Sequence, residues 1–106
     1  MFQRVEYKDL NSRQQEIFNF KKISSVLAEY GYLTMRLSDD WQGADFIALH
    51  FNNQSVLRVQ LKGRLEIAKK YLGKDLWVCF RDGEDVYLYK HDEMAAELLS
   101  KTTIGN

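Results

Sequence analysis

Proline is absent from this chain, and cysteine occurs once, as Cys79. A single thiol excludes an internal disulfide and any multi-cysteine metal centre, and makes a reducing, cytoplasmic setting the expectation. Net charge is also absent, because 15 basic residues offset 15 acidic ones, so the overall basic excess of a typical nucleic-acid binder is missing. No apolar run approaches the ~20 residues needed to cross a bilayer. The leading MFQRVEYKDL carries acids rather than an apolar signal segment, so no membrane partner and no secretory leader are expected. P-loop, GxGxxG, HExxH and serine-elbow patterns are all lacking, and no organic cofactor is expected.

What is present is an ordinary globular composition. The 106 residues are 45% hydrophobic and 13% aromatic, enough for one domain with its own core and incompatible with disorder. Charge is unevenly placed. Arg58, Lys62, Arg64, Lys69, Lys70 and Lys74 stand against Glu66 alone, whereas Asp82, Glu84, Asp85, Asp92, Glu93 and Glu97 stand against Lys90. These are either plain solvated faces or a local basic strip able to meet phosphates, with acids elsewhere balancing the total.

Asn11 and Ser12, with Gln15 three residues after Ser12, signal a helix start. Ile17, Phe20, Ile23, Leu27 and Tyr30 then recur at helical spacing up to Gly31, predicting a helix of about 18 residues. Residues 32–37 alternate as a strand and 38–43 read as a loop. The runs 44–51 and 55–61 flank Asn52-Asn53-Gln54 as a hairpin, and 64–72 reads as a short helix before Gly73. A second hairpin, 76–81 and 85–90, turns at Asp82-Gly83-Glu84. A last amphipathic helix over 91–100 carries Asp92 and Glu93 in its first turn, where the helix dipole favours acids. The order α-β-β-β-α-β-β-α predicts an α/β (α+β) domain, a mixed sheet flanked by helices.

The chemistry-bearing stretch runs from Gly43 to Arg64. On the third strand Leu57, Val59 and Leu61 share one face and Arg58, Gln60 and Lys62 the other, while Asp45 is the only acid of the second strand. Whether these polar groups meet depends on hairpin register. If paired positions sum to 107, Asp45 faces Lys62 and Ile47 faces Gln60, and opposed Cβ atoms lie about 4.5–5.5 Å apart. If they sum to 106, Asp45 faces Leu61 and the cluster is destroyed.

An acid, a hairpin and then an amide-x-Lys at the end of the next strand resembles the active site of the PD-(D/E)XK nucleases, the restriction-endonuclease-like superfamily. The likeness spans about residues 11–90 through the order of helix, three strands, helix and strands. It implies that Asp45 is the metal-binding aspartate, with Ala44 where the family pattern has Pro. It implies that Gln60 occupies the second acidic position, Lys62 is the motif lysine, and the Leu61 carbonyl is a main-chain metal ligand. The family's helical Glu would fall near Phe20, where there is none; Glu16 lies one turn earlier on the same face. The implied activity is Mg²⁺- or Mn²⁺-dependent hydrolysis of DNA phosphodiesters, with a homodimer for duplex cleavage. Arg58, Arg64, Lys69 and Lys70 would contact phosphates, and Lys21 and Lys22 more weakly.

Mg²⁺ suits this donor set, since it takes oxygen ligands, keeps several waters and uses one or two carboxylates plus substrate phosphate. Gln60 is the departure that matters, because an amide oxygen removes one negative charge from the site. The runner-up is therefore a catalytically decayed member of the fold that binds nucleic acid or protein, and a third reading is an interaction domain without a nucleic-acid role. Locally, Asp45 could cap a loop and Lys62 could snorkel from a strand end. His50 and His91 read as structural and Cys79 as a buried thiol. Trp41 is either a core lid or an exposed ring that stacks on a base.

Overall fold

Asn11 starts the main helix by accepting from the Gln14 amide through Oδ1 (2.8 Å), while Gln14 Oε1 accepts from the Asn11 N–H (3.0 Å). This reciprocal cap satisfies two donors that a helix start would leave orphaned. It stands one residue earlier than the expected Ser12–Gln15 pair. The helix, α1, runs Ser12–Glu29, and Gly31, at φ +88°, lets the chain leave it in a left-handed turn. In the computed structural model, which describes residues 1–52, 54–63 and 68–97, α1 buries Phe20, Ile23 and Leu27. Ile17 and Tyr30, expected on the same stripe, are exposed.

Five strands follow: β1 (Tyr32–Trp41), β2 (Ala44–His50), β3 (Val56–Lys62), β4 (Trp77–Asp82) and β5 (Asp85–Lys90). They form one mixed sheet in the order β1-β2-β3-β4-β5, in which only β3 and β4 run parallel. A second helix, α2, follows β5 directly and is described over 91–97; the expected remainder, 98–100, lies outside the described residues. The molecule is thus a small α+β domain, with α1 packed on one sheet face. Its core joins Phe20, Ile23 and Leu27 to Phe46, Ala48, Val59 and Cys79, and Phe20 meets Phe46 edge-on at 5.1 Å. Cys79 is a buried thiol as expected, and burial pushes its pKa up to about 12, where it is inert at neutral pH.

Three expectations are corrected. The loop over 38–43 is mostly strand, because β1 continues through a bulge to Trp41 and turns on Gln42 and Gly43 alone. Both turn residues have positive φ (+52° and +94°), the arrangement that joins antiparallel strands in two residues. The helix expected over 64–72 is, in its described part, only a 3-10 turn, Lys69–Tyr71. Ala68 before it is extended and spends its N–H on His91 Nε2 (3.3 Å), so no helical ladder runs through it. Residues 64–67, Arg64 included, lie outside the described residues. Finally, β2 and β3 pair with positions summing to 105, neither of the expected registers. The closing contact is His50 N–H to Ser55 O (2.9 Å) around a four-residue loop.

The segment that returns the chain from β3 to the parallel β4 is fastened to α2. His91 is fully buried, and its Nε2 accepts from Ala68, so Nδ1 carries the proton and donates to Asp92 Oδ1 (3.2 Å). Asp92 Oδ2 in turn accepts from the Gly73 N–H (3.0 Å). These bonds from His91 and Gly73 hold the Asp92 carboxyl below its ordinary range. His91 is therefore structural, and the clasp fixes the turn that carries Tyr71.

Candidate functional site

The 105 register keeps the odd parity on which the polar cluster depends and slides β3 by two residues. Continued one step past Phe46↔Val59, it sets Asp45 opposite Gln60 and leaves Lys62 on the next diagonal. The ladder between β2 and β3 is not continued there. On its other edge β3 keeps pairing, in parallel, with β4, from Val59↔Trp77 to Lys62↔Phe80. The Leu61 N–H, with no β2 carbonyl to meet, donates to Asp45 Oδ2 at 2.8 Å. The carboxylate thus substitutes for a missing rung at the point where two strands part.

The parting opens a cleft of about 500 Å³ lined by Asp45, Gln60, Leu61 and Lys62, with Glu16 from α1 and Asp40 from β1. The four side chains proposed from sequence as catalytic therefore share one cavity. Asp45 is half-buried. Loss of hydration raises its pKa above the ordinary carboxylate value, and the negative charges of Asp40 and Glu16 add to the rise. The Leu61 N–H and the Arg36 guanidinium oppose it. Gln60 is 5% exposed. It lines the cleft, and among the described residues no buried side-chain N or O is left without a partner.

Glu16 reaches the cleft already paired with Arg36, whose guanidinium also lies 5.3 Å over the Phe20 ring. Among the described residues no group of three or more His, Cys, Asp or Glu side chains is arranged to hold a metal ion. The donor set here is of another kind: one carboxylate that is poorly hydrated beside two further negative charges, one amide and main-chain oxygen. That chemistry fits a hard divalent cation that brings its own waters and a substrate phosphate, and does not fit a soft or carboxylate-caged ion.

The expected phosphate contacts divide. Lys69 and Lys70 are exposed on the 3-10 turn beside Tyr71, which lines the cleft, and Lys70 lies 5.0 Å over the Tyr71 ring. Arg58 is drawn away: it donates to Gln42 Oε1 (3.1 Å) and to the carbonyls of Lys74 and Asp75, and lies over Trp41. Lys21 and Lys22 are exposed on α1 and do not line the cleft. His50 is structural, its Nδ1 accepting from the Asn52 N–H (3.2 Å) and its ring edge-on to Tyr32.

Sequence reasoning missed the far wall, made by Tyr7, Ser12, Gln15 and Asn19. Tyr7 sits in an N-terminal 3-10 turn, accepts from Asn19 Nδ2 (2.8 Å) and lies under the Arg81 guanidinium. No spacing rule links Tyr7 to Arg81. Gly43 did carry a signal, since any Cβ there would stand 2.7 Å from the Tyr71 ring. Compared with protein-family models, curated proteins and solved structures, the chain finds no match, so its fold and the geometry of this cleft carry the reading of its function.

Proposed function

We propose that the chain is a restriction-endonuclease-like, PD-(D/E)XK-type domain that hydrolyses DNA phosphodiester bonds at this cleft with a divalent ion, Mg²⁺ or Mn²⁺. One observation carries the reading. Asp45, Gln60, Leu61 and Lys62, from two strands that part at that point, line a single open cavity. Asp45 would hold the ion with the Gln60 amide oxygen and the Leu61 carbonyl. When bound, the ion polarises the phosphodiester and lowers the pKa of a water. Lys62 lines the same cavity as Asp45 and supplies a positive charge to the phosphate oxygens as negative charge develops on them. Asp45, fixed by the Leu61 N–H, orients the water-bearing side of the site. Lys69 and Lys70 at the rim draw in the flanking phosphates. One cleft serves one strand, so duplex cleavage calls for a homodimer.

The test is nicking of supercoiled DNA with Mg²⁺ or Mn²⁺ against a chelator control, for the parent and for Asp45→Asn. The parent nicks only with the ion, and Asp45→Asn does not nick. Asp45→Asn also folds at least as stably as the parent at neutral pH. Because the Asp45 pKa is raised, the folded state holds that proton more tightly than the unfolded one. This group therefore removes stability as pH rises above the ordinary carboxylate value. Equal nicking by both proteins overturns the proposal.

Gln60→Glu tests the same site through stability. A second carboxylate in the cleft that Asp45 lines, at a position 5% exposed, destabilises the metal-free protein by roughly 2–4 kcal/mol at neutral pH. Millimolar Mg²⁺ or Mn²⁺ should restore most of that loss in a thermal melt. A variant that melts like the parent and ignores the ion would remove the metal from the reading.

A decayed, binding-only module is the second reading, favoured by Gln60 in place of an acid. It predicts DNA affinity with no ion-dependent stabilisation and no nicking.

A further inference from the structure

Trp41 was open to two readings from sequence, core lid or exposed ring, and it is no lid: half of its surface is exposed. It ends β1 immediately before the two-residue turn Gln42–Gly43 and pairs with Ala44 across it. Asp40, just before it, and Gly43, two residues after it, line the cleft that holds Asp45. The ring is also held in place. The Arg58 guanidinium lies over it at 5.1 Å, and that guanidinium is pinned by Gln42 Oε1 and by the Lys74 and Asp75 carbonyls. The basic side chain expected to meet phosphate is thus spent on immobilising an indole in the β1–β2 turn region that flanks the site.

A large exposed aromatic that is rigid before any partner arrives loses little side-chain freedom on stacking. A cation over one face adds an electrostatic contact to the ring. We propose that Trp41, backed by Arg58, is a stacking platform for an unpaired nucleobase of the DNA strand whose phosphate enters the cleft, so that the substrate is DNA with a single-stranded or unpaired stretch beside the cut. A paired base has both faces in the helical stack and cannot meet the ring, whereas every unpaired base offers a π-face whatever its identity. The inference rests on the phosphodiester reading for the strand's path, but its test does not require cleavage.

Tryptophan emission is followed in chelator during titration with a short oligothymidylate, and separately with a fully paired duplex of the same length. Binding is followed in parallel by the anisotropy of labelled DNA. The single strand should quench emission saturably and the duplex should not. In Trp41→Phe, which leaves Trp77 as the emitter, binding persists and the quench disappears. In Trp41→Ala, affinity for the single strand falls roughly 5- to 150-fold, the loss of one base–aromatic stack. If the protein nicks DNA with the ion, yet its emission is unmoved by the oligonucleotide and Trp41→Ala binds like the parent, the stacking site is overturned and the nuclease reading stands. If neither DNA form binds and none is cut, the phosphodiester reading falls and the platform falls with it.

Discussion

Lys62→Ala should lower ion-dependent nicking by on the order of 10²–10³-fold while leaving the protein folded. The size follows from where Lys62 sits: on the strand that carries Gln60, in the wall of the cavity that Asp45 also lines. A positive group held there in advance meets the charge that builds on the phosphate oxygens without having to reorganise. A mobile surface lysine would contribute far less. Because Lys62 is only partly exposed, Lys62→Met is the companion variant. It keeps the aliphatic stem and removes the charge. Both variants should lose the rate, and thermal melts should place Lys62→Met closer to the parent. Nicking at parental rates by Lys62→Met, with normal folding, would show that the charge plays no part and that Lys62 is an ordinary strand-end lysine.

The largest loss of stability is expected from Phe46→Ala. Phe46 has no exposed surface, meets Phe20 of α1 edge-on at 5.1 Å, and stands in the core cluster with Ala48, Val59 and Cys79. Truncating a buried phenylalanine costs about 3–5 kcal/mol, from the lost transfer of the ring and the cavity left behind. Domains of this size hold a total of only about 5–15 kcal/mol, so the variant should sit near the edge of unfolding. Chemical denaturation should show a large fall in midpoint with little change in slope. Leu33→Ala is the control, since Leu33 is 65% exposed on the edge strand, and its change should stay within about 0.5 kcal/mol. A Phe46→Ala loss under about 1 kcal/mol would mean that α1 does not pack on β2 as described. Because Phe46 neighbours Asp45, the same packing sets how firmly the carboxylate is aimed.

The elements came through from sequence where the signal is local. Phe20, Ile23 and Leu27 recur at helical spacing, and each is buried on α1. Gly31 ends the helix with a positive φ that other residues rarely take. The second hairpin turns where Gly83 allows it, and β5 matches its expected bounds. Alternation along β3 correctly assigned Gln60 and Lys62 to one face, because side-chain direction along a strand is set by the backbone alone. The described part of the expected helix, 68–72, misled because its composition suits a helix. The buried His91 claims the Ala68 N–H, a contact between residues far apart in the chain that no local pattern records.

Sequence by itself determined which residue types could share a face and where the first helix and the second hairpin lie, since both follow from backbone geometry repeating over a few residues. Tertiary structure alone decided how they meet. It set the register of β2 on β3, the parallel pairing of β3 with β4, and the use of Asp45 to fill the missing rung. It also diverted Glu16 to Arg36 and Arg58 to Trp41. Each of these outcomes depends on which long-range partner satisfies a buried donor or charge, and that choice is made only when the whole chain has packed.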